Sequence, residues 1–134
     1  MSNPWNAYIQ DYLQAEGLKK ASIHTEDGQT LAATDRFSVT AEQARHVWLS
    51  LKPKANAPLV SLTIAGLDYR INNYYTNFIY GYRETGGCIL APADNVLIVA
   101  LHDEKMHAIQ AVRIVTQLIQ HLNSGSPPTD IPNL

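Results

Sequence analysis

The stretch from residue 58 to residue 102 most constrains the fold of this 134-residue chain, because it contains five short β-rich runs in succession. Asn, Asp or Gly residues separate the runs, and these residue types favour turns. The connections are too short for crossover helices, so we expect neighbouring runs to pair as an antiparallel meander. The runs are LVSLTIAG, LDYRINN, NFIYGYR, CILA and VLIVALH.

A hairpin and a helix are predicted ahead of this meander. Two short apolar runs flank Asp27 and Gly28, and an Asp-Gly pair in that position is a strong signal for a hairpin turn. Residues 40–51 are predicted to form a helix, with Thr40 as its N-cap and Pro53 after its end. The chain therefore contains both sheet and helix before the long run of strands begins.

Further helices are predicted near both ends of the chain. Asn3 and Pro4 suit the start of the first helix, and Gly17 suits its end. The last helix is predicted to follow Asp103 and to run to about Leu122. Both helices carry an apolar side, so we expect them to lie side by side on one face of the sheet. Helices segregated from an antiparallel sheet make the fold class α+β.

Chain length and composition exclude several classes of protein. We expect one domain over residues 1–122 and a flexible, proline-containing tail over residues 123–134. A net charge of −2 gives no basic field to hold nucleic acid. We see no transmembrane segment and no secretory leader, so the expected location is cytoplasmic. Cys88 is the only cysteine and no Cys/His cluster has zinc spacing, so neither a metal nor a cofactor is expected.

One polar cluster is a candidate for catalysis or metal binding. His102, Asp103 and Glu104 follow one another at the end of a predicted strand. They are a candidate for acid–base chemistry, but we favour a solvated turn that caps the last helix. The GYRETGG stretch (residues 81–87) lacks the strand–loop–helix context and the lysine of a phosphate-binding loop. The sequence therefore predicts no enzyme and favours surface recognition.

The order and spacing of several short motifs resemble those of the profilin family of actin-monomer-binding proteins. Trp5 and Tyr8 match the family's N-terminal W-x-x-Y motif, and ASIHTEDGQTLAAT fits its first hairpin. Residues 77–104 follow the family's IxG…GG(I/V)…LIxxxYxE region without a gap, and residues 110–122 fit its closing helix. The resemblance implies a profilin-like fold, with the terminal helices packed together on one face of a central antiparallel sheet and a further helix on the other.

The resemblance also implies a groove between the terminal helices that binds proline-rich segments. In such a groove, aromatic faces pack on proline rings, while indole N–H and phenol O–H groups donate to ligand carbonyls. The groove residues that it implies are Trp5, Tyr8, Tyr12, Leu118 and His121. The family commonly has a second groove tryptophan near Leu31 or Ala32, where this chain is aliphatic. The alternative is that Trp5 and Tyr8 only clamp the two helices together.

An actin-binding face on the middle strands and the first half of the last helix is likewise implied. The matching positions are Tyr75, Phe78, Tyr80, Tyr82, Arg83, Met106, Gln110 and Arg113. Strand alternation puts Phe78, Tyr80 and Tyr82 on one face and Ile79 on the other. If Ile79 faces the core, the three aromatics form an exposed row, which is typical of an interface. The alternative is a second core layer covered by a helix.

The predicted function is that of a non-catalytic, cytoskeleton-associated protein that binds monomeric actin and proline-rich proteins. By the family's mechanism it would regulate actin assembly and nucleotide exchange, and the resemblance further implies binding to phosphoinositide. An alternative keeps the fold and changes the role. It is a profilin-like or roadblock-like dimerising module, regulatory or GTPase-associated, that does not bind actin and uses the aromatic row as its dimer surface.

Overall fold

The computed structural model describes residues 4–18, 20–50, 61–74, 78–93 and 95–123 of the chain. Predictions made for Asn3, for Pro53, for Tyr75 and for the tail beyond Asn123 lie outside these residues.

Seven strands form one sheet with the spatial order β2-β1-β7-β6-β5-β4-β3, and every neighbouring pair is antiparallel. Strands β3 to β7 are neighbours in sequence order, which confirms the predicted meander. The hairpin of β1 and β2 turns at Gly28, which has a φ of +91°, and adds to the sheet beside β7. The strands are β1 Lys20–Thr25, β2 Thr30–Ala33, β3 Ser61–Ile64, β4 Leu67–Tyr74, β5 Ile79–Arg83, β6 Gly86–Ala93 and β7 Val96–Asp103.

The described helices lie near the ends of the domain and between β2 and β3. The first begins as an α-helix, α1, and continues as a π-helical turn and a 3₁₀ turn. Gly17, with a φ of +107°, ends this segment as predicted. The bounds are α1 Pro4–Tyr8, π-turn Ile9–Leu13, 3₁₀ turn Gln14–Glu16, α2 Ala41–Ser50 and α3 Ala108–Asn123. None of the helices in the described ranges is long and apolar enough to cross a membrane.

Helix α3 begins later than the sequence predicts, at Ala108 instead of directly after Asp103. Asp103 organises a turn ahead of the helix. Its carboxylate accepts a hydrogen bond from the Lys105 N–H at 2.9 Å, and its carbonyl accepts one from the Met106 N–H at 3.3 Å. The polar cluster that was expected to cap the last helix therefore shapes the approach to it.

Two hydrophobic cores cover the two faces of the sheet. The first lies between the sheet and the helices at the two ends of the domain, and it includes Tyr8, Leu13, Ile98 and Leu118. The second lies on the opposite face, where α2 contributes Ala44 and Val47. Central strand β7 is buried on both faces from Val96 to Leu101, and this part of it is apolar without polar alternation. The predicted α+β class is confirmed, with the helices near both ends on one face of the sheet and α2 on the other.

Reciprocal side-chain bonds fix the start of α2. The Thr40 hydroxyl accepts a hydrogen bond from the Gln43 N–H at 3.1 Å, and the Gln43 side-chain oxygen accepts one from the Thr40 N–H at 3.2 Å. This is a capping box, with glutamine at its third helical position. The Gln43 amide also donates to the Thr63 carbonyl at 2.8 Å, which ties the helix to edge strand β3.

Candidate interaction surfaces

The N-terminal helical segment and α3 bring four aromatic rings together, which we call the ring cluster: Trp5, Tyr8, Tyr12 and His121. Ring centroids are 5.7 Å apart for Trp5 and Tyr8, and 5.4 Å apart for Tyr8 and His121. Tyr12 stacks on His121 with a centroid distance of 5.3 Å and an interplanar angle of 27°. The sequence-predicted groove residues thus meet in space, although His121 lies more than a hundred positions from the others.

Members of the ring cluster differ in exposure. Tyr8 is completely buried, whereas Trp5, Tyr12 and His121 are half-buried. Leu118, the remaining predicted groove residue, is also completely buried. Tyr8 lies at the helix–helix contact, and its hydroxyl is 3.3 Å from His121 Nε2. Tyr8 therefore clamps the two helices together, and only the other three rings of the cluster present surface.

The Tyr12 hydroxyl is buried and has no hydrogen-bond partner in the described part of the chain. Burial, with the neighbouring Asp11 carboxylate as a second cause, raises the pKa of Tyr12. The hydroxyl is therefore protonated at neutral pH and can donate. A buried donor without an acceptor costs about 1–3 kcal/mol, so an added acceptor would be favourable there.

Aromatic residues of β5 form a second surface on the same face of the sheet. Ile79 is completely buried in the core on the α2 side. Phe78 and Tyr80 are half-buried against the other core, and Tyr82 is 50% exposed. The predicted alternation is therefore confirmed. Tyr82 is the most exposed of the three aromatic side chains, so this surface is partly the edge of the first core and partly open to solvent.

A hydrogen bond across three strands holds Tyr80 in place. The His102 Nδ1 lies 2.9 Å from the Asp103 carbonyl, which can only accept, so Nδ1 carries the proton. The Tyr80 hydroxyl then donates to His102 Nε2 at 2.7 Å, and the two rings stack. Gly87 lies beneath them, and a Cβ there would collide with the Tyr80 hydroxyl. This arrangement could not be predicted from the sequence, because it depends on the register of β5, β6 and β7.

Strand β5 and the turn before α3 share the lining of a cavity of about 330 Å³. Arg83, His102 and Met106 all line it. The Arg83 guanidinium lies over the Tyr69 ring at 5.7 Å, and Arg83 Nη1 is buried without a hydrogen-bond partner among the residues described. Of the predicted actin-binding residues, Arg83 and Met106 both line this cavity, and Gln110 and Arg113 on α3 are exposed.

The other candidates do not form reactive sites. No group of three or more His, Cys, Asp or Glu side chains within the described ranges could hold a metal ion. Burial raises the pKa of Cys88 to about 12, so its thiol is unreactive. Ala91 and Ala93 are buried apolar residues, so the 91–93 stretch offers no cation to an anionic lipid.

Comparison with known proteins agrees with this geometry. The family model described as Profilin matches residues 3–126, which is most of the chain. The chain belongs to the profilin family. This family is non-catalytic.

Individual profilins are similar to this chain at low identity. Profilin-3 of Dictyostelium discoideum is 27% identical over 103 residues, which are 76% of this chain and 82% of that protein. The structure of Acanthamoeba castellanii profilin IA has a TM-score of 0.83 at 24% identity, covering 90% of this chain and 98% of that one. LokiProfilin1, solved in complex with rabbit actin, has a TM-score of 0.75 at 18% identity, covering 94% and 98%.

This profilin departs from the family's pattern on strand β2. Leu31, near the position where the family commonly has a tryptophan, is half-buried and packs against the first core. Tyr12 packs against the same core and stacks on His121, so it supplies aromatic surface that the aliphatic β2 does not.

Proposed function

We propose that this profilin binds monomeric actin through the aromatic row of β5 and the first half of α3. The observation that carries the proposal is Tyr82, a large ring that is 50% exposed beside half-buried Tyr80 and Phe78. Tyrosine and arginine are enriched at the centres of protein interfaces. Tyr82 and Arg113 place both residue types on the proposed face. The related LokiProfilin1 fold in its complex with actin supports the choice of partner.

The proposed mechanism is differential binding, without bond making or breaking by this chain. A protein that binds one conformation of actin more tightly shifts actin toward that conformation. Nucleotide exchange on actin would change as a consequence. A cytoskeletal location follows from this partner.

Two substitutions test the proposed actin face. Tyr82→Ala and Arg113→Glu alter exposed side chains, so the fold should be retained. We expect the double variant to bind labelled monomeric actin at least about tenfold more weakly, because the loss of even one interface anchor costs about 1.4 kcal/mol or more. Fluorescence titration measures the affinity. Arg45→Glu on α2 is the matched charge reversal on an exposed residue outside the proposed face, and it should leave the affinity unchanged.

If the double variant binds actin as tightly as the unmodified protein, the proposal that this face binds actin is wrong. A second candidate function then has support from Tyr82 and from Ile109, which is 69% exposed on α3. These apolar side chains also suit a dimer surface of a regulatory module that ignores actin. Light scattering separates the two functions, because that module would form a stable dimer.

We also propose that proline-rich segments bind the exposed part of the ring cluster. A polyproline II segment is already extended and has free carbonyls, so it loses little entropy on docking. The Tyr12 hydroxyl and the Trp5 indole would donate to those carbonyls, and the stacked face of His121 would support a proline ring.

Tryptophan fluorescence tests the proline site. Trp5 and Trp48 are the two tryptophans, and Trp48 packs on the opposite core, so Trp48→Phe isolates the signal of Trp5. Titration of this variant with poly-L-proline should change the Trp5 emission. Adding Tyr12→Phe should weaken binding about fivefold, because one hydrogen bond contributes about 1 kcal/mol. An emission spectrum that does not respond at millimolar proline would count against the site.

A further inference from the structure

The ring cluster lies at the end of the helix that leads into the proline-containing tail. His121 belongs to the last turn of α3, which ends at Asn123. The chain continues with SGSPPTDIPNL, which contains Pro127, Pro128 and Pro132. A proline-containing segment therefore begins three residues after His121, one of the rings that we propose as a proline-binding surface.

The tail can supply a hydrogen-bond acceptor for the buried Tyr12 hydroxyl. That hydroxyl is a donor without an acceptor in the described part of the chain. Proline has no N–H, and a polyproline II backbone makes no internal hydrogen bonds, so its carbonyls are available as acceptors. A carbonyl from residues 127–132 would supply the acceptor that the Tyr12 donor lacks.

Chain lengths permit this contact. Residues 124–126 can span about 10 Å when extended, and Gly125 among them can adopt the φ values that reverse the chain. The centroid distances from Tyr12 to His121 and from His121 to Tyr8 are 5.3 and 5.4 Å. Six residues in polyproline II conformation cover about 19 Å, which is enough to lie along these rings.

We propose that residues 127–132 dock on the ring cluster of the same molecule and compete with external proline-rich ligands. The inference rests on the proposed proline-binding function of that cluster. A short tether gives the tail an effective concentration on the order of millimolar. A tail whose intrinsic dissociation constant is also millimolar occupies the cluster about half of the time. It then halves the apparent affinity for an external ligand.

Two tail variants and one control test the competition, all in the Trp48→Phe background. The first variant lacks residues 124–134, and the second carries Pro127→Ser, Pro128→Ser and Pro132→Ser in the full-length chain. Both should bind poly-L-proline at least about twofold more tightly than the parent, and to a similar extent. Both should also change the Trp5 emission before any ligand is added. Ser124→Ala and Ser126→Ala together form the control, which keeps the three prolines and should behave like the parent.

The outcomes separate this inference from the function on which it rests. Equal dissociation constants for the parent and both variants would overturn tail docking and leave the proline site standing. Absence of proline binding in every form would overturn both. If the deletion raises the affinity for poly-L-proline but the three serine substitutions do not, the prolines are not responsible. That result would also overturn the inference. If the difference in poly-L-proline affinity between the parent and the tail variants disappears when the protein is diluted, the tail docks on a second copy. Docking within the same molecule would then be wrong.

Discussion

At the scale of single residues, His24 has an environment that could not be predicted from the sequence. Its side chain is completely buried on the face of β1 that points toward α2. Ser22 Oγ lies 2.6 Å from its Nε2, and Thr30 Oγ1 lies 3.3 Å from its Nδ1. Both partners are neutral, so neither compensates a charge on the imidazole. Burial lowers the pKa of His24 to about 4, although a hydrogen bond to the Gly28 backbone acts in the opposite direction.

The first prediction concerns pH. Between pH 6.5 and pH 4 the unfolded chain binds a proton at His24 that the folded chain does not, so stability falls as the pH falls through this window. Below pH 4 the loss no longer grows, because both states are then protonated. We expect the His24 contribution to fall by about 2 kcal/mol between pH 7 and pH 5. Urea unfolding at the two pH values measures it.

A substitution isolates His24 from the other histidines. His24→Gln keeps a polar side chain but cannot titrate, while the remaining four histidines are shared by both proteins. Between pH 7 and pH 5, the free energy of unfolding should fall by about 2 kcal/mol less in the variant than in the parent. The same pH dependence in both proteins would rule out His24 as the cause.

At the scale of secondary structure, the N-terminal helical segment shows where a uniform helical wheel fails. A uniform wheel of about 100° per residue places Ile9 and Leu13 toward the sheet, and both are buried. The same wheel places Tyr8 on the open side together with Trp5, yet Tyr8 is buried. Residues 9–13 form a π-helical turn, in which the Gln14 N–H reaches the Ile9 carbonyl. This i→i+5 bonding changes the angular spacing, so the wheel cannot place Tyr12 relative to Tyr8.

The turn between β3 and β4 provides the second prediction. Ile64 pairs with Leu67 across two residues, Ala65 and Gly66, whose φ values are +52° and +79°. Two positive φ values define a type I′ turn, which favours Asn-Gly and is unfavourable for alanine. We therefore expect Ala65→Asn to raise the free energy of unfolding by about 0.5–1 kcal/mol. Denaturant unfolding provides the measurement.

Gly66→Ala is the matched opposite change. Nothing lies within 4 Å of the Cβ that it would add, so any loss of stability must come from the backbone conformation alone. We expect a loss of about 1 kcal/mol. If Ala65→Asn and Gly66→Ala shift stability in the same direction, the conformational explanation is wrong.

At the scale of the whole molecule, the sequence predicted what depends on local patterns. Turn residues and β-rich runs predicted the meander, and Asp27-Gly28 predicted the first hairpin, because both features are encoded within a few residues. Contacts that depend on register were not predicted. The bond between Tyr80 and His102 requires β5, β6 and β7 to align Gly87 beneath them. The resemblance grouped Tyr8 with His121, but only the packed helices reveal which of the two is accessible.

Helix α3 carries parts of both proposed surfaces, with Arg113 in its first half and His121 in its last turn. Between them, Ile114, Val115, Leu118 and Ile119 are buried in the core. Each residue of an α-helix turns the following ones by about 100°, so inserting or deleting one residue between Arg113 and His121 would point one surface away from its strands. The spacing along this helix is therefore as much a part of both proposed sites as the side chains themselves. Natural variation in length should be confined to other segments.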